Sequence, residues 1–269
     1  MLPFCKPKFI SFSGKKAVTT SYVYNSKRDK YDTTDSLLNK IKYLTKKKHY
    51  IWHRNSKADR GVIEQIFKLK DYNMREFKRY SDIMEKYHLI INSGKKPLII
   101  DCGANIGVSV IYWKLMFSQA AVIAIEPERE NIEILKQNTK NFDVIVLESA
   151  VASSSGVSYL FDPGAGEWGY RVAKEEKGAE VTTHSINDIL STIDFSFEPF
   201  IIKIDIEGGE GDLFSKNYHW FNEFYVGIIE LHDWLLPKAK TSLPFLKMVS
   251  QLDRDFIYRN ENIFSIKNS

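Results

Sequence analysis

Short apolar runs alternate with segments of helix-like apolar spacing through the middle of the chain. Runs at 97–101, 121–126 and 144–148 predict three strands, and the spacing at 107–117 and 128–139 predicts a helix after each of the first two. Strands and helices that alternate at this pitch form parallel sheets with helices on both faces. The pattern therefore predicts an α/β fold with a doubly wound, mostly parallel sheet.

The second half of the chain extends this predicted sheet. An apolar run at 200–205 predicts a fourth strand, and another at 224–231 predicts a fifth. Two extended segments, 256–258 and 263–266, flank a turn at 261–262 and predict a C-terminal antiparallel hairpin beside the fifth strand. Helical spacing predicts two short helices, at 185–190 and 245–249.

The N-terminal part of the chain lacks this alternation. Residues 1–95 are predicted to form a mainly helical extension that covers the ligand site of a domain at 96–269. Within the extension, 1–31 alternate loosely like short strands, and 36–50 have the pattern of a basic amphipathic helix. A longer helix is predicted at 74–91, where it is closed by a Gly-containing stop.

A stretch rich in Gly and Ser interrupts the strand and helix pattern between residues 152 and 188. It contains short extended pieces and carries Trp168 and Tyr170. Such a segment beside a site can be a mobile lid, and a surface hairpin is the simpler interpretation.

Composition excludes several classes of protein. The chain of 269 residues is long enough for one large α/β domain with an appended segment. The only cysteines, Cys5 and Cys102, exclude a disulfide framework and a cysteine zinc site, and they favour a reducing compartment. No signal-peptide core and no run of about 20 apolar residues is present, so we expect a cytoplasmic protein without a transmembrane segment.

The charge is unevenly distributed along the chain. The net charge is only +4, but lysines concentrate in the N-terminal part, with three in a row at 46–48. A solvated helix end explains such a run most simply, and contact with an anionic substrate or the surface of a membrane is the alternative.

The first predicted strand ends in an acid and a glycine-rich turn, from Asp101 to Gly107. Such a turn brings helix N–H groups and a carboxylate to the carboxyl edge of a sheet, where open α/β folds bind their ligands. The glycines at 103 and 107 lack the G-x-G-x-x-G spacing of a dinucleotide fingerprint, which weakens the case for a pyrophosphate ligand.

An acid at the end of the second predicted strand narrows the choice of ligand. Glu126 lies nineteen positions after Gly107 and precedes Pro127. A carboxylate in this place can bind the hydroxyls of a ribose. S-adenosylmethionine has a ribose, no phosphates and a cationic end that Asp101 would face. An ordinary tight connection between strand and helix is the alternative.

A second group of ionisable residues follows the fourth and fifth predicted strands. His232 is the preferred general base because an imidazole titrates near neutral pH, and a carboxylate whose pKa is raised by crowding is the alternative. The other members would orient a hydroxyl group and balance charge. An ion pair between Lys203 and Glu207, or a hydrogen bond between His232 and Glu230, would be purely structural. The group comprises Lys203, Asp205, Glu207, Glu210, Glu230 and His232.

A divalent metal ion is a less favoured interpretation of the same group. Carboxylate oxygens and an imidazole are suitable ligands for a magnesium-type ion, which would acidify a bound hydroxyl. The residues available for it are Asp205, Glu207, Glu230 and His232.

Taken together, these segments resemble the FkbM family of S-adenosylmethionine-dependent methyltransferases. The resemblance spans about 97–232 and is joined upstream by Arg54 and Asp59. It implies a Rossmann-like class I methyltransferase fold and methylation of oxygen atoms on sugars, polyketides and other natural products. The matching segments, in chain order, are 101–107, 126–127, 150–151 and 203–210.

The motifs assign a role to each candidate site residue. Arg54, Asp59 and Trp168 are predicted to bind substrate, and a helix N-cap is the structural alternative for Asp59. The predicted catalytic residues are His232, Asp205, Glu207, Lys203 and Glu230. The predicted cofactor-binding residues are Asp101, Gly103, Ala104, Asn105, Gly107, Glu126, Pro127, Ser149 and Ala150.

The expected function is O-methylation of a hydroxyl on a sugar, a polysaccharide or a glycosylated metabolite, with S-adenosylmethionine as methyl donor. Methylation of RNA or of another small molecule is an alternative, although no Asn-Pro-Pro-Tyr-type motif follows the fourth strand and no nucleic-acid partner is expected. A catalytically silent nucleotide-binding module is a third interpretation. The sequence leaves the acceptor and the oligomeric state open.

Overall fold

A computed structural model of the chain describes residues 51–54, 56–161, 171–173 and 178–268. The predictions for 1–31 and 36–50, and the assignment of Trp168, lie outside these residues. No described helix is long and apolar enough to cross a membrane.

The helices and strands follow each other in the predicted alternation. A π-helical turn at Glu64–Lys68 continues the first helix, and short 3₁₀ helices lie at Met74–Glu76 and Tyr218–Glu223. The helices are α1 (Lys57–Ile63), α2 (Tyr80–Asn92), α3 (Val108–Met116), α4 (Arg129–Thr139), α5 (Ile186–Ser191), α6 (Glu210–Leu213) and α7 (Leu243–Val249). The strands are β1 (Lys96–Cys102), β2 (Ala121–Glu126), β3 (Val144–Glu148), β4 (Ala150–Val151), β5 (Gly156–Phe161), β6 (Arg171–Ala173), β7 (Ala179–His184), β8 (Phe197–Ile204), β9 (Val226–Glu230), β10 (Arg254–Arg259) and β11 (Asn262–Lys267).

Seven strands of the described chain form the central sheet, in the order β10-β11-β9-β8-β1-β2-β3. The strands from β9 to β3 pair in parallel, whereas β11 runs antiparallel to both β9 and β10. This confirms the predicted Rossmann-like α/β fold with a C-terminal antiparallel hairpin. Because β1, β2, β3, β8 and β9 are parallel, their carboxyl ends all lie at one edge of the sheet.

Both faces of the sheet are buried, which explains why its central strands are apolar throughout. On β1, Leu98 and Ile100 pack on one side, and Ile99 packs on the other. Residues from α1 to α4 cover the face of Ile99, whereas residues from α5 to α7 cover the face of Leu98. Polar groups within these strands are therefore confined to the ends, where the candidate site lies.

The segment between β3 and α5 forms a second sheet. Four described strands lie in the order β4-β7-β5-β6, and β5 pairs antiparallel with β6 and β7. The connection between β5 and β6 at 162–170 lies outside the described residues, so the choice between lid and surface hairpin stays a prediction.

The predicted helix at 74–91 is wrong in its first turns. Phe77 has extended backbone angles, φ −76° and ψ 140°, which separate the 3₁₀ turn from α2. Its ring packs edge-on against Phe264 with ring centroids 4.9 Å apart, so packing against β11 overrides the helical pattern.

The predicted turn of the C-terminal hairpin is shifted by one residue. Arg259 pairs with Asn262, so the turn residues are Asn260 and Glu261. Asn260 has a φ of 54°, a left-handed conformation that Asn adopts more readily than most residues.

Candidate active site

The glycine-rich turn after β1 packs tightly against the end of β8. Gly103 has a φ of +76°, and a Cβ at this position would collide with the backbone carbonyl of Asp205. Gly107 has a φ of +83°, and its Cβ would lie 2.6 Å from Leu135 Cδ1 on α4. The two glycines therefore let the turn fit between β8 and α4.

The N–H groups of this turn are already hydrogen-bonded inside the protein. Those of Gly103 and Ala104 donate to the Ile125 carbonyl, both at 3.0 Å, and that of Gly107 donates to Ala104 at 2.8 Å. The N–H of Asn105 donates to Glu126 Oε2 at 2.8 Å. The remaining N–H, at position 106, donates to the Asn105 side chain at 2.6 Å. Since all five have acceptors, the turn does not offer a phosphate cradle.

Glu126 ends β2 as a buried carboxylate. Besides Asn105, it accepts hydrogen bonds from the N–H of Glu128 at 3.1 Å and from Asn131 Nδ2 at 3.2 Å. Burial raises the pKa of Glu126, and these donors partly oppose the shift. The donors fix the carboxylate at the carboxyl end of β2.

Asp101 lies behind the site rather than at its surface. It is fully buried, and it accepts a hydrogen bond from Trp113 Nε1 at 3.0 Å. Its other oxygen lies 3.3 Å from Lys203 Nζ. Asp101 and Lys203 are paired with each other across the neighbouring strands β1 and β8. Asp101 thus anchors Lys203, which differs from the expectation that it faces a cationic ligand.

Lys203 connects the glycine turn to the acids after β8. Its Nζ donates to the Gly103 carbonyl at 2.7 Å and lies 3.3 Å from Asp205 Oδ2. Burial favours the neutral amine, but the surrounding acids outweigh it and raise the pKa of Lys203 well above its usual value. The lysine is therefore a permanent cation that fixes the ends of β1 and β8 to one another.

His232 lies at the centre of a group of carboxylates. Its Nδ1 lies 2.9 Å from Glu210 Oε1. Its Nε2 lies 3.5 Å from Glu230, 3.6 Å from Glu207 and 3.7 Å from Asp205. Although burial alone would lower it, these acids raise the pKa of His232 to about 11. The ring is therefore a protonated imidazolium at neutral pH, which counts against its predicted role as general base.

Glu207 is a carboxylate of this cluster whose pKa lies near neutral pH. Burial, reinforced by the neighbouring Asp205, raises its pKa to about 8. Burial also raises the pKa of Glu230. Glu207 has a φ of 54°, an uncommon conformation for this residue type.

A cavity of about 370 Å³ lies at this edge of the sheet, within the size range of small-molecule sites. Asp101, Gly107, His232, Arg54 and Asp59 do not contribute to its lining. The predicted residues that line it are Gly103, Ala104, Asn105, Glu126, Pro127, Ser149, Ala150, Lys203, Asp205, Glu207 and Glu230.

Sequence reasoning missed many lining residues. Some of them come from the segment before β1, which was predicted to cover the site as a whole, without a pattern that identified its lining residues. Trp234 and Leu235 follow His232 closely, and that proximity could have indicated them. The missed residues are Val62, Gln65, Ile66, Tyr72, Ser109, Ile125, Asn131, Val151, Ile206, Gly209, Trp234, Leu235 and Glu261.

Arg54 and Asp59 support the site from behind. Ser56 caps α1 with its side chain, so the N-cap alternative for Asp59 is wrong. The Asp59 carboxylate instead accepts from the N–H of Arg54 at 2.5 Å and from its guanidinium at 2.8 Å. The same guanidinium donates to Asn131 Oδ1 at 2.8 Å, and Asn131 in turn holds Glu126.

Three residues of the acid cluster can bring ligand atoms to one point. The metal-binding atoms of Asp205, Glu207 and His232 lie within 4.8 Å of one another. These residue types suit a divalent cation, but His232 would have to lose its proton first.

The family of the chain follows from a comparison with protein families. Residues 101–258 match the model of the methyltransferase FkbM domain. The match covers more than half of the chain and includes both the glycine turn and the acid cluster. The chain therefore belongs to the FkbM methyltransferase family, and the predicted methyltransferase activity is confirmed at the level of the family.

Two relatives of the chain are named as methyltransferases. The chain is 24% identical to the hexuronic acid methyltransferase AglP of Haloferax volcanii, over 67% of this chain and 72% of AglP. It is 24% identical to the methyltransferase sdnD of Sordaria araneosa, over 49% of this chain and 65% of sdnD. Among solved structures, the precorrin-6y C5,15-methyltransferase of Geobacter metallireducens superposes with a TM-score of 0.36 at 10% identity, over 68% of this chain and 88% of that one.

Proposed function

We propose that this methyltransferase transfers a methyl group from S-adenosylmethionine to a hydroxyl group of a sugar. One observation carries the proposal: Glu126, beside the glycine turn, lines the same cavity as Glu207 and Glu230. Glu126 would bind the ribose of the cofactor, and Glu207 and Glu230 would bind the acceptor hydroxyl, all within one cavity.

The lining of the cavity fits a phosphate-free nucleoside ligand. The N–H groups of the turn are bonded within the protein, whereas Glu126 presents a carboxylate to the cavity. Ser149 also lines the cavity. The acids of the lining complement the positive charge of a sulfonium.

Glu207 is the proposed general base. S-adenosylmethionine supplies an electrophilic methyl carbon whose leaving group, a neutral thioether, takes the electron pair of the broken carbon–sulfur bond. As the new oxygen–carbon bond forms, the acceptor hydroxyl loses its proton to the Glu207 carboxylate. A pKa of about 8 leaves part of the Glu207 population ionised near neutral pH. His232 acts as a positioning residue, because its charge holds Glu207, Glu230 and Asp205 together.

The sugar acceptor is supported by the relatives and by the chemistry of the cavity. AglP is named for methylation of a hexuronic acid, and this chain matches 72% of its length. Carboxylates such as Glu207 and Glu230 accept hydrogen bonds from the neighbouring hydroxyls of a sugar ring.

A divalent ion bound by Asp205, Glu207 and His232 is the second candidate for activating the hydroxyl. It would replace the proton of His232 and lower the pKa of the bound hydroxyl. We expect transfer to persist after treatment with EDTA, since the Glu207 carboxylate can accept the proton of the hydroxyl without a metal. Loss of transfer with EDTA and recovery with Mg²⁺ would favour the metal instead.

Cofactor binding and methyl transfer together test the proposal. Calorimetry should detect binding of S-adenosylmethionine to the wild-type chain, and Glu126→Gln should weaken it roughly tenfold or more, because hydrogen bonds to a charged group are lost. The matched control, Glu133→Gln on the exposed side of α4, should bind like the wild type. Labelled S-adenosylmethionine should then methylate a member of a set of methyl glycosides. Failure of the wild-type chain to bind S-adenosylmethionine would remove the proposal.

A further inference from the structure

We propose that Trp234 forms an acceptor subsite that binds the apolar face of an uncharged sugar ring. The inference rests on the proposed function and deepens it, because it specifies which kind of sugar the cavity accepts. Trp234 lies just after β9 and lines the cavity together with Glu207 and Glu230.

Trp234 is an exposed aromatic side chain at a functional edge of the sheet. It is 63% exposed, although large apolar side chains of this kind are usually buried. Its ring centroid lies 6.3 Å from that of the buried His232. The exposed indole therefore lies next to the proposed reaction centre.

The backbone beneath Trp234 is fixed by hydrogen bonds. The N–H groups of Leu235 and Leu236 both donate to the His232 carbonyl, at 3.0 Å and 3.1 Å. Leu236 packs over Gly208, where a Cβ would lie 2.5 Å from Leu236 Cδ1. The turn that carries Trp234 is thus held against the segment that carries Glu207.

A second set of contacts closes the loop at 233–242. Asp233 Oδ1 accepts from Thr241 Oγ1 at 2.8 Å and from the N–H of Ser242 at 3.1 Å. These hydrogen bonds join the two ends of the loop. Trp234 is consequently exposed on a well-anchored loop. Because the loop is already ordered, binding a ligand to the indole costs little conformational entropy.

An aromatic face beside carboxylates suits the two kinds of surface on a sugar. The C–H groups of one ring face pack against the negative face of an indole, and the hydroxyls at the rim donate to carboxylates. In this cavity Glu207 and Glu230 are such acceptors. A sugar resting on Trp234 would therefore present its rim hydroxyls to the proposed base.

The charge of the lining selects against an acidic sugar. Among the described lining residues the single cation is Lys203, which is already paired with Asp101 and Asp205. Acidic side chains are more numerous, and a uronate group would bring its negative charge into a space lined mainly by acids. The lining acids are Glu126, Asp205, Glu207, Glu230 and Glu261. The preference we infer is thus the opposite of the hexuronic acid for which AglP is named.

Binding of matched sugars to the full chain tests the inference. The protein is saturated with S-adenosylhomocysteine, and saturation-transfer NMR measures the affinity for methyl glucoside, galactoside and mannoside and for the corresponding methyl uronosides. We expect at least one neutral glycoside to bind about tenfold more tightly than its uronoside. Trp234→Ala should weaken that glycoside about tenfold, and Trp234→Phe should retain most of the affinity.

The controls separate this inference from the proposed function. Phe195 is 98% exposed and precedes β8, at the opposite edge of the sheet, so Phe195→Ala should leave sugar affinity unchanged. S-adenosylhomocysteine should bind all variants with equal affinity. The inference is overturned if no neutral glycoside binds the loaded protein, if uronosides bind equally well, or if Trp234→Ala binds sugar like the wild type. Failure of S-adenosylhomocysteine to bind the wild type would overturn the proposed function and this inference with it.

Discussion

Glu207 and His232 are neighbours, and their shared environment raises the pKa of both side chains. The acids around His232 stabilise its imidazolium, so its pKa rises to about 11. Burial and Asp205 destabilise the ionised form of Glu207, so its pKa rises to about 8. The histidine thereby loses the ability to accept a proton near neutral pH, whereas the glutamate becomes a stronger base than an exposed carboxylate.

The pH dependence of methyl transfer follows from this assignment. A general base works only when it is deprotonated, so kcat/KM for the acceptor should rise about tenfold per pH unit below the pKa of Glu207 and level off above it. Because that pKa is about 8, the limb should fall between about pH 6 and pH 8. Glu207→Gln should lower kcat roughly a hundredfold or more and abolish the limb. A steady-state pH–rate profile measures both effects.

Glu261 provides the matched control for Glu207. It also lines the cavity, but it lies in the hairpin turn between β10 and β11. Glu261→Gln should therefore keep the same pH limb. A Glu207→Gln variant that retains the wild-type limb would show that another group is the base.

At the scale of single residues, the sequence predicted which residues meet but not how each is used. The acids at the carboxyl ends of β1, β2, β8 and β9 converge because parallel strands end at one edge, and periodicity is enough to predict that. A sequence motif does not show which of its side chains are buried. Asp101 is hydrogen-bonded by Trp113 and paired with Lys203, so it supports the site without lining the cavity. The preference for His232 as base assumed an unperturbed imidazole and did not allow for the surrounding acids, which raise its pKa.

At the scale of elements, the C-terminal hairpin depends on one buried cation. Arg254 Nε donates to Ser265 Oγ at 2.8 Å, and its terminal nitrogens donate to the carbonyls of Ser265, Phe224 and Tyr225 at 2.9 Å, 3.0 Å and 3.1 Å. The guanidinium also lies 5.1 Å from the centre of the Phe221 ring. Burial lowers the pKa of Arg254 to about 10, which still leaves it charged at neutral pH.

Removal of this guanidinium should destabilise the fold. Arg254→Met would leave several buried carbonyls without donors, and we expect a loss of about 3 kcal/mol in the free energy of unfolding. Arg254→Lys should recover part of that loss, because an ammonium can donate to some of the same oxygens. Urea denaturation measures the change. Lys247→Met, at an exposed position of α7, is the control, and an Arg254→Met variant as stable as this control would contradict the assigned role.

Element boundaries were predictable where packing agrees with local pattern. The strands at 121–126 and 144–148 have the predicted bounds, because their apolar residues are flanked by polar turns. The predicted helix at 74–91 failed where Phe77 turns away to pack on Phe264, a contact between segments far apart in the chain. Periodicity describes one segment at a time and therefore cannot contain such a contact.

At the scale of the whole molecule, the cavity has walls from opposite ends of the chain. Ile66 and Tyr72 precede the sheet, whereas Glu261 belongs to the last hairpin. The parallel pairing of the central strands was predictable from the alternation of strand and helix, whereas their order in the sheet was not predicted. The segment before β1 was expected to pack onto the site, but no sequence pattern supported that expectation. The division of the chain at residue 95 stays a prediction.

We expect the protein to bind a phosphate-free nucleoside ligand and not a dinucleotide. Ligand binding stabilises the whole fold, so thermal stability tests this expectation. A ligand at a hundred times its Kd adds about 2.7 kcal/mol to the free energy of unfolding. For a chain of this size, S-adenosylmethionine should therefore raise Tm by roughly 5 °C or more. NAD⁺ and ATP at millimolar concentration should shift Tm by less than about 1 °C. The N–H groups at 103–107 already have acceptors within the protein. They cannot bind a phosphate without breaking those hydrogen bonds. Differential scanning fluorimetry measures the shifts, and an equal rise with NAD⁺ would show that the turn opens to bind phosphates.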